Sequence, residues 1–132
     1  MLLAALACAR PCPPAAPAGR RPRLEVGFWK PRPGWKARRV DRRGNLPWLP
    51  SRRVRDDMRR CGIRRIEAQV MLCMDREGRV VRASLLRSSR FPSWDRKLLE
   101  VLRTHRYRPY EHGGRRRAVC FPVRKAYHQA VP

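Results

Sequence analysis

The sequence predicts an α+β fold: a small antiparallel β-β-α-β sheet with one helix packed on one face. Three observations lead to this fold class. Apolar residues alternate from residue 66 to residue 74, an apolar stripe with helical spacing follows between residues 94 and 105, and a second alternation covers residues 119–123. Alternation with a period of two is typical of a half-buried strand, and the wider spacing is typical of a helix that lies on a sheet.

The first predicted strand is the most regular element. Its core-facing residues are Ile66, Ala68, Val70, Leu72 and Met74, which alternate with Glu67, Gln69, Met71 and Cys73. The polar turn Asp75–Gly78 follows and supplies a glycine that can adopt positive φ, as a short hairpin loop requires. The second strand, from Val80 to Leu86, alternates less cleanly, which is consistent with a β-bulge.

One helix is predicted after Ser88–Ser89 and Phe91–Pro92 interrupt the second strand. Ser93 is the predicted N-cap, and Asp95 would lie in the first turn, where a negative charge suits the helix dipole. The stripe that should face the sheet consists of Trp94, Leu98, Val101, Leu102 and His105. Arg108–Pro109 should end the helix, and Gly113–Gly114 should form a loop. Because Pro122 has no N–H, the last strand is expected at a sheet edge.

Length and composition limit the classes of function. The chain has 132 residues, and domains typically run about 100–150 residues, which excludes a multi-domain enzyme. Apolar residues never form the run of about 20 that a membrane-spanning helix needs. His105, His112 and His128 are not accompanied by a recognisable nucleophile and orienting partner. We therefore predict that the protein is not an enzyme, with no catalytic residue, metal site or cofactor.

The charge is strongly positive, and its distribution matters more than its size. The chain has 33 Lys and Arg residues against 10 Asp and Glu, which gives a formal net charge of +23. The basic residues occur at similar density throughout the chain, whereas a dedicated nucleic-acid arm usually concentrates them in a block. Salt-dependent, non-specific affinity for nucleic acid is nevertheless expected. Asp56–Asp57, flanked by arginines, indicates salt bridges on a short helix.

The N-terminal third differs in composition from the rest. Nine of the 13 prolines fall in residues 1–50, and residues 10–45 are interpreted as a flexible Pro/Arg-rich linker. Trp29, Trp35 and Trp48 are interpreted as contact points; in the alternative, Trp48 and Leu49 dock on the folded domain while Trp29 and Trp35 stay loose. Residues 1–9 form a short apolar stretch that is either a truncated export signal, which makes Cys8 a candidate for lipidation, or an ordinary hydrophobic stub.

A series of short motifs resembles a known family. Gly78-x-Val80, Ser88–Ser89, Trp94–Asp95, a helix, then Tyr107–Arg108–Pro109, a glycine and a final strand follow one another as in the C-terminal domain of the TonB energy transducers. Pro47–Trp48–Leu49–Pro50 stands where that family has a "YP" segment. The resemblance covers residues 46–128, which would form the TonB-like domain.

The resemblance implies a periplasmic or cell-envelope protein that binds another protein. TonB-like domains receive an extended segment of an outer-membrane receptor beside an exposed strand, in support of energy-coupled transport. Carried over, the receiving strand is Arg117–Arg124, with Arg117, Val119, Phe121 and Val123 as its partner-binding residues. Pro122 deletes one hydrogen-bond donor from that strand. The partner would be an outer-membrane receptor or another envelope protein.

The resemblance also implies a disulfide. If the first and last strands are neighbours, as in that family's sheet, Cys73 and Cys120 face each other and can form a bond; the alternative is two independent thiols. Cys61 has no evident partner, and Cys8 and Cys12 do not match a zinc site. A second hypothesis for the whole chain is a basic cytoplasmic protein that binds nucleic acid and keeps its thiols reduced.

Overall fold

A computed structural model of the protein describes residues 10–40 and 48–130. The elements in this part of the chain are α1 (Arg52–Arg60), β1 (Arg65–Met74), β2 (Val80–Arg87), α2 (Pro92–Arg103), β3 (Tyr110–His112), β4 (Arg115–Arg117) and β5 (Val119–His128). β1 is the central strand of an antiparallel sheet with the order β2-β1-β5, and β3 pairs with β4 in a separate hairpin. The predicted α+β class with a small antiparallel sheet is confirmed, and the β3–β4 hairpin is an addition to it.

The alternation predicted for β1 corresponds to two different faces of the sheet. Ile66, Ala68, Val70, Leu72 and Met74 are buried on the face that carries the helices. On the opposite face, Met71 and Cys73 form a smaller cluster with Cys120. β2 is irregular as expected, because its pairing with β1 shifts register after Gln69 and again after Cys73.

The β1–β2 turn uses Gly78 in two ways. Its φ is +81°, a conformation that residues with a Cβ adopt only with strain. Its carbonyl also accepts a hydrogen bond from the Tyr107 N–H (2.9 Å), and a Cβ on Gly78 would overlap the Tyr107 carbonyl oxygen. Asp75 completes the turn by accepting from the Glu77 and Arg79 N–H groups at 2.9 and 3.0 Å. These contacts lower the pKa of Asp75, although burial opposes them with the largest single effect.

Helix α2 begins two residues earlier than predicted. Its N-cap is Phe91, with no side-chain hydrogen bond, and Pro92 occupies the first turn, where a missing N–H costs nothing. The prediction of Ser93 as N-cap is therefore wrong. Asp95 does lie in the first turn, but it also accepts hydrogen bonds from Ser88 Oγ and from the Ser89 N–H (2.9 Å). The carboxylate thus joins the end of β2 to the start of α2.

The apolar stripe of α2 is buried as predicted. Trp94, Leu98, Val101 and Leu102 all face the sheet, and each contributes about 2 kcal/mol by leaving water. His105 is also buried but follows the helix, which ends at Arg103. Helix α1 packs beside α2 through Val54 and Met58, and Asp56 forms the predicted salt bridges with Arg52 and Arg59.

Residues 10–40, called here the N-terminal arm, are extended but lie against the domain. Cys12 forms a disulfide with Cys61 at the end of α1. Further along, the Arg20 N–H donates to the Leu86 carbonyl (2.8 Å), Phe28 covers the Met71–Cys73–Cys120 cluster, and the Val40 N–H donates to the Arg106 carbonyl (2.9 Å). The sequence predicted a flexible linker here.

The contacts of the arm with the domain have a physical basis. A segment of this composition cannot bury enough surface to fold alone. It can still satisfy its backbone by hydrogen bonding to sheet edges, and it buries aromatic side chains at intervals. The Trp35 ring packs against those of Tyr110 and Phe121, whose centroids are 5.1 and 5.3 Å from its own. Beyond the arm, the Trp48 carbonyl accepts a hydrogen bond from Trp94 Nε1 (2.8 Å).

Candidate partner-binding edge of the sheet

Strand β5 is an outer strand of the sheet, and its pairing with the arm shows which of its backbone groups point outward. The Trp29 N–H donates to the Ala118 carbonyl (2.8 Å), and the Cys120 N–H donates to the Trp29 carbonyl (3.1 Å). The register between β1 and β5 is unbroken from Arg65 to Met74. Because residues of an antiparallel strand alternate between facing the partner and facing away, the outward groups belong to Cys120, Pro122, Arg124, Ala126 and His128.

The four predicted partner-binding residues are placed differently from one another. Val119, Phe121 and Val123 share one face of β5, where the first two are buried in the core and Val123 is half-buried. By their parity, their backbone groups face β1 rather than a partner. Arg117 lies in β4, where it is paired with Tyr110. The structure thus brings three of the four together, but it is the alternate residues of β5 that present hydrogen-bonding groups outward.

The first part of the β5 edge is occupied by Trp29. The two hydrogen bonds around Val119 form a short parallel bridge, so this part of the arm acts as a fourth strand one residue long. The Trp29 side chain is 39% exposed and lies between Arg117, whose guanidinium is 4.5 Å from the ring centroid, and His112, whose ring centroid is 5.0 Å away. These contacts hold the arm against β5.

Pro122 separates this occupied part from the remainder of β5. Its missing N–H is one of the outward groups, so no partner can receive a hydrogen bond from it. Beyond it, Arg124 and Ala126 present both N–H and C=O outward. Among residues 10–40 and 48–130, no backbone group pairs with them. We call these outward groups of Arg124 and Ala126 the distal edge.

The surroundings of the distal edge are basic. Glu67 forms salt bridges with both Arg65 (2.7 Å) and Arg124 (2.8 Å), so one negative charge is shared by two positive charges. Lys125 projects to the other face, where its ammonium is 5.7 Å from the centroid of the Trp48 ring. Burial lowers the pKa of Lys125, and the nearby positive charge of Arg39 lowers it further. An acidic segment therefore suits this edge better than a basic one.

Two disulfides stabilise this region. Cys73–Cys120 joins β1 to β5 on the face covered by Phe28, as the resemblance implied. Cys12–Cys61 was not anticipated, because Cys12 falls in a segment without periodicity and nothing in the sequence places it near α1. Cys73 and Cys120 are buried, whereas Cys12 is exposed. Cys8 lies outside the described residues, as does the rest of the candidate export signal.

The histidines are separated from one another in the fold. Burial, with Arg39 and Lys125 nearby, lowers the pKa of His105 to about 4, so the ring is neutral at pH 7. His112 stacks on Trp29, and His128 Nε2 accepts from Arg65 Nε at 3.3 Å. In the described ranges, no three His, Cys, Asp or Glu side chains are grouped so that they could hold a metal ion.

No described helix has the length and apolar character needed to span a membrane. The chain was compared with models of protein families, with curated proteins and with solved structures, and none of them matches it.

Proposed function

We propose that this protein is a TonB-like cell-envelope interaction domain that binds an extended, acidic segment of a protein partner at the distal edge of β5. The observation that carries this proposal is the row of outward N–H and C=O groups at Arg124 and Ala126. An edge strand with unpaired groups is the receptor for strand addition, in which backbone hydrogen bonds supply affinity. An outer-membrane receptor or another envelope protein would supply the segment, in support of energy-coupled transport.

The two disulfides support an extracytoplasmic location. Structural disulfides persist in oxidising compartments such as the periplasm and are rare in the cytosol. Both bonds connect segments that are far apart in sequence, with separations of 49 and 47 residues. A periplasmic or envelope location is one in which both bonds would remain closed.

The basic character of the edge supports an acidic partner. Arg65 and Arg124 share the carboxylate of Glu67 on one face of the edge, and Lys125 lies over the Trp48 ring on the other face. An acidic segment would complete the charge balance, whereas a basic one would be repelled. Because Pro122 withholds one donor, the partner strand should lie alongside residues 124–126 rather than along the whole of β5.

The test is a peptide titration followed by amide hydrogen exchange. The probe is an alternating Glu–Val peptide of about eight residues, which is a typical strand length, and an alternating Lys–Val peptide is the control. We expect the Glu–Val peptide to slow exchange at the Arg124 and Ala126 amides and the Lys–Val peptide to leave both unchanged. Protection elsewhere, or at neither amide, would contradict the proposal.

A variant pair separates strand addition from simple charge attraction. Ala126→Pro deletes an outward N–H at the edge, whereas Ala126→Ser keeps it and has nearly the same size. We expect Ala126→Pro to weaken binding of the Glu–Val peptide about tenfold, because a hydrogen bond is lost and the peptide carbonyl is left unpaired. Ala126→Ser should bind like the parent protein. Equal affinities for the two variants would show that charge alone attracts the peptide.

A further inference from the structure

A rigid turn in the N-terminal arm presents several cations to one cleft. Arg32–Trp35 forms a β-turn in which the Trp35 N–H donates to the Arg32 carbonyl (3.1 Å), and Gly34 has a φ of +82°. Pro33 precedes that glycine and restricts the backbone before it. The turn is held in place because the Trp35 side chain packs into the main core.

The residues after the turn alternate between the core and the solvent. Trp35 and Ala37 both pack against the core cluster, so Lys36 and Arg38 project from the opposite side of the extended chain. The Arg38 carbonyl accepts from the Arg108 N–H (2.8 Å). Arg108 is exposed next to buried Tyr107, and it joins Lys36 and Arg38 along the same cleft.

Arg32 occupies the other side of this cleft and is held by three contacts. Its N–H donates to the Tyr110 hydroxyl (2.9 Å), and its Nη1 donates to the Glu111 carbonyl (3.0 Å). Its guanidinium also lies 5.5 Å from the centroid of the Tyr110 ring. A cation fixed in this way loses little conformational entropy when it binds a ligand.

The charges in this cleft are not balanced. The cleft has a volume of about 550 Å³, and Arg32, Lys36, Arg38 and Arg108 line it together with Pro33 and Trp35 but without an acidic residue. In the part of the chain that the structure describes, no carboxylate forms an ion pair with any of these four cations. A second basic cleft, beside Arg20 and Arg82, differs because it contains Glu25, which pairs with Arg82 at 2.9 Å.

We infer that the cleft formed by Arg32, Lys36, Arg38 and Arg108 is a binding site for a phosphate-bearing ligand, either a phospholipid headgroup or a soluble organic phosphate. Arginine forks match phosphate oxygens in pairs, and a lysine adds a mobile point charge. Holding four like charges together without a counter-ion is unfavourable, and a dianionic group in the cleft relieves that repulsion. This site is separate from the distal edge of β5 and does not depend on the function proposed for it.

The first experiment is a calorimetric titration with inorganic pyrophosphate at physiological ionic strength. The cleft variant is Lys36→Gln/Arg38→Gln, and the control is Arg64→Gln/Arg96→Gln, which removes the same charge from two exposed residues. Arg64 precedes β1, at the opposite end of that strand from the turn that contacts Arg108. We expect the cleft variant to lose affinity about tenfold and the control less than about twofold, because screening leaves distant surface charges little effect. Equal losses in the two variants would overturn the inference, since binding would then follow net charge.

A measurement on the unmodified protein does not depend on how the variants fold. Pyrophosphate should shift the amide NMR signals of Gly34, Lys36 and Arg108 more than those of Arg64 and Arg96. Shifts spread evenly over the arginines of the chain would overturn the inference.

Further binding experiments distinguish the source of the phosphate. Vesicles of phosphatidylcholine with phosphatidic acid, compared with pure phosphatidylcholine, test the headgroup, and competition by pyrophosphate shows whether the same cleft is used. Vesicle binding that pyrophosphate displaces supports a lipid source, whereas pyrophosphate binding without vesicle binding supports a soluble one. The last experiment measures binding of a duplex DNA oligonucleotide. If the cleft variant loses more affinity for DNA than for pyrophosphate, nucleic acid replaces a small phosphate as the ligand.

Discussion

Trp29 bridges to Val119 as a parallel strand and thereby fills the edge of β5 immediately before Pro122. The edge is thus divided into a part paired within the chain, a proline without a donor, and a distal part at Arg124 and Ala126. An unprotected edge strand is a template for aggregation, and both the bridge and the proline shorten the length of edge that another chain could use. On β5, this division limits strand addition to the distal edge.

Weakening the arm should expose the first part of this edge. Trp29→Ala removes the ring that contacts Arg117 and His112, contacts that are worth on the order of 0.5–1 kcal/mol at an exposed site. We expect hydrogen exchange at the Cys120 amide to become about threefold faster, because that N–H donates to the Trp29 carbonyl. Val26→Ala is the matched control, since Val26 is fully exposed in the same arm. Unchanged exchange at Cys120 in Trp29→Ala would mean that the side chain does not hold the bridge.

Gly78 and Gly62 offer a second comparison. Both have positive φ, +81° and +67°, but only at Gly78 would a Cβ meet other atoms, those of Tyr107 and Arg108. Gly62→Ala should therefore lower the free energy of unfolding by about 1 kcal/mol through backbone strain alone. Gly78→Ala should lower it by about 2 kcal/mol more, because the Tyr107 backbone has to move. Urea denaturation of both variants measures the difference, and equal losses would contradict the close approach.

The regular elements could be predicted from the sequence because their signals are local. The alternation around Val70 and the stripe around Leu98 each indicate which side of an element is buried. β1 and α2 could therefore be predicted from these two patterns. The prediction of Ser93 as N-cap failed because Pro92 begins the helix equally well, which moves the N-cap two positions earlier, to Phe91.

The position of the arm could not be predicted because the contacts that hold it against the domain are distant in sequence. Trp35 and Ala37 alternate with Lys36 and Arg38 over too few residues to stand out, and their partners Tyr110 and Phe121 come more than 70 residues later. The Cys12–Cys61 bond could not be predicted for the same reason, because its two cysteines are 49 residues apart in sequence. For the candidate site, Pro122 was enough to predict that β5 lies at a sheet edge. Which of its residues point their backbone groups outward, namely Arg124 and Ala126, could be known only from the register with β1.

The two disulfides should differ in how easily they are reduced. Cys12 is exposed and Cys61 partly so, whereas Cys73 and Cys120 are buried between β1 and β5. Because a thiolate must reach a sulfur atom to open the bond, dithiothreitol should reduce Cys12–Cys61 first. Alkylation followed by peptide mass spectrometry identifies the thiols released at each concentration. Release of Cys73 and Cys120 before Cys12 would contradict this order.

Removing the buried Cys73–Cys120 bond should substantially lower the free energy of unfolding. With a separation of 47 residues, Cys73–Cys120 contributes about 4 kcal/mol in the chain-entropy model. Cys73→Ser/Cys120→Ser should therefore shift the urea midpoint strongly downward. The comparison is the parent protein with only Cys12–Cys61 reduced, a bond for which the chain-entropy model gives a similar figure because its separation is 49 residues. This bond joins the arm to the end of α1 and connects no strands of the sheet, so the arm can detach while the urea midpoint of the sheet changes less. A smaller shift for the serine pair than for the reduced parent would contradict the central role of the β1–β5 bond.

His105 should make the stability depend on pH. Burial first, and then the positive charges of Arg39 and Lys125, lower the pKa of this ring from 6.5 to about 4 in the folded state. Between these two pH values the unfolded chain binds the proton and the folded chain does not, so acidification favours unfolding. We expect the free energy of unfolding to be highest above pH 6.5 and to fall by on the order of 2 kcal/mol as the pH decreases to 4. His105→Gln lacks the titrating group, and urea midpoints across this range should be flatter for it than for the parent; parallel pH profiles would show that carboxylates alone cause the loss.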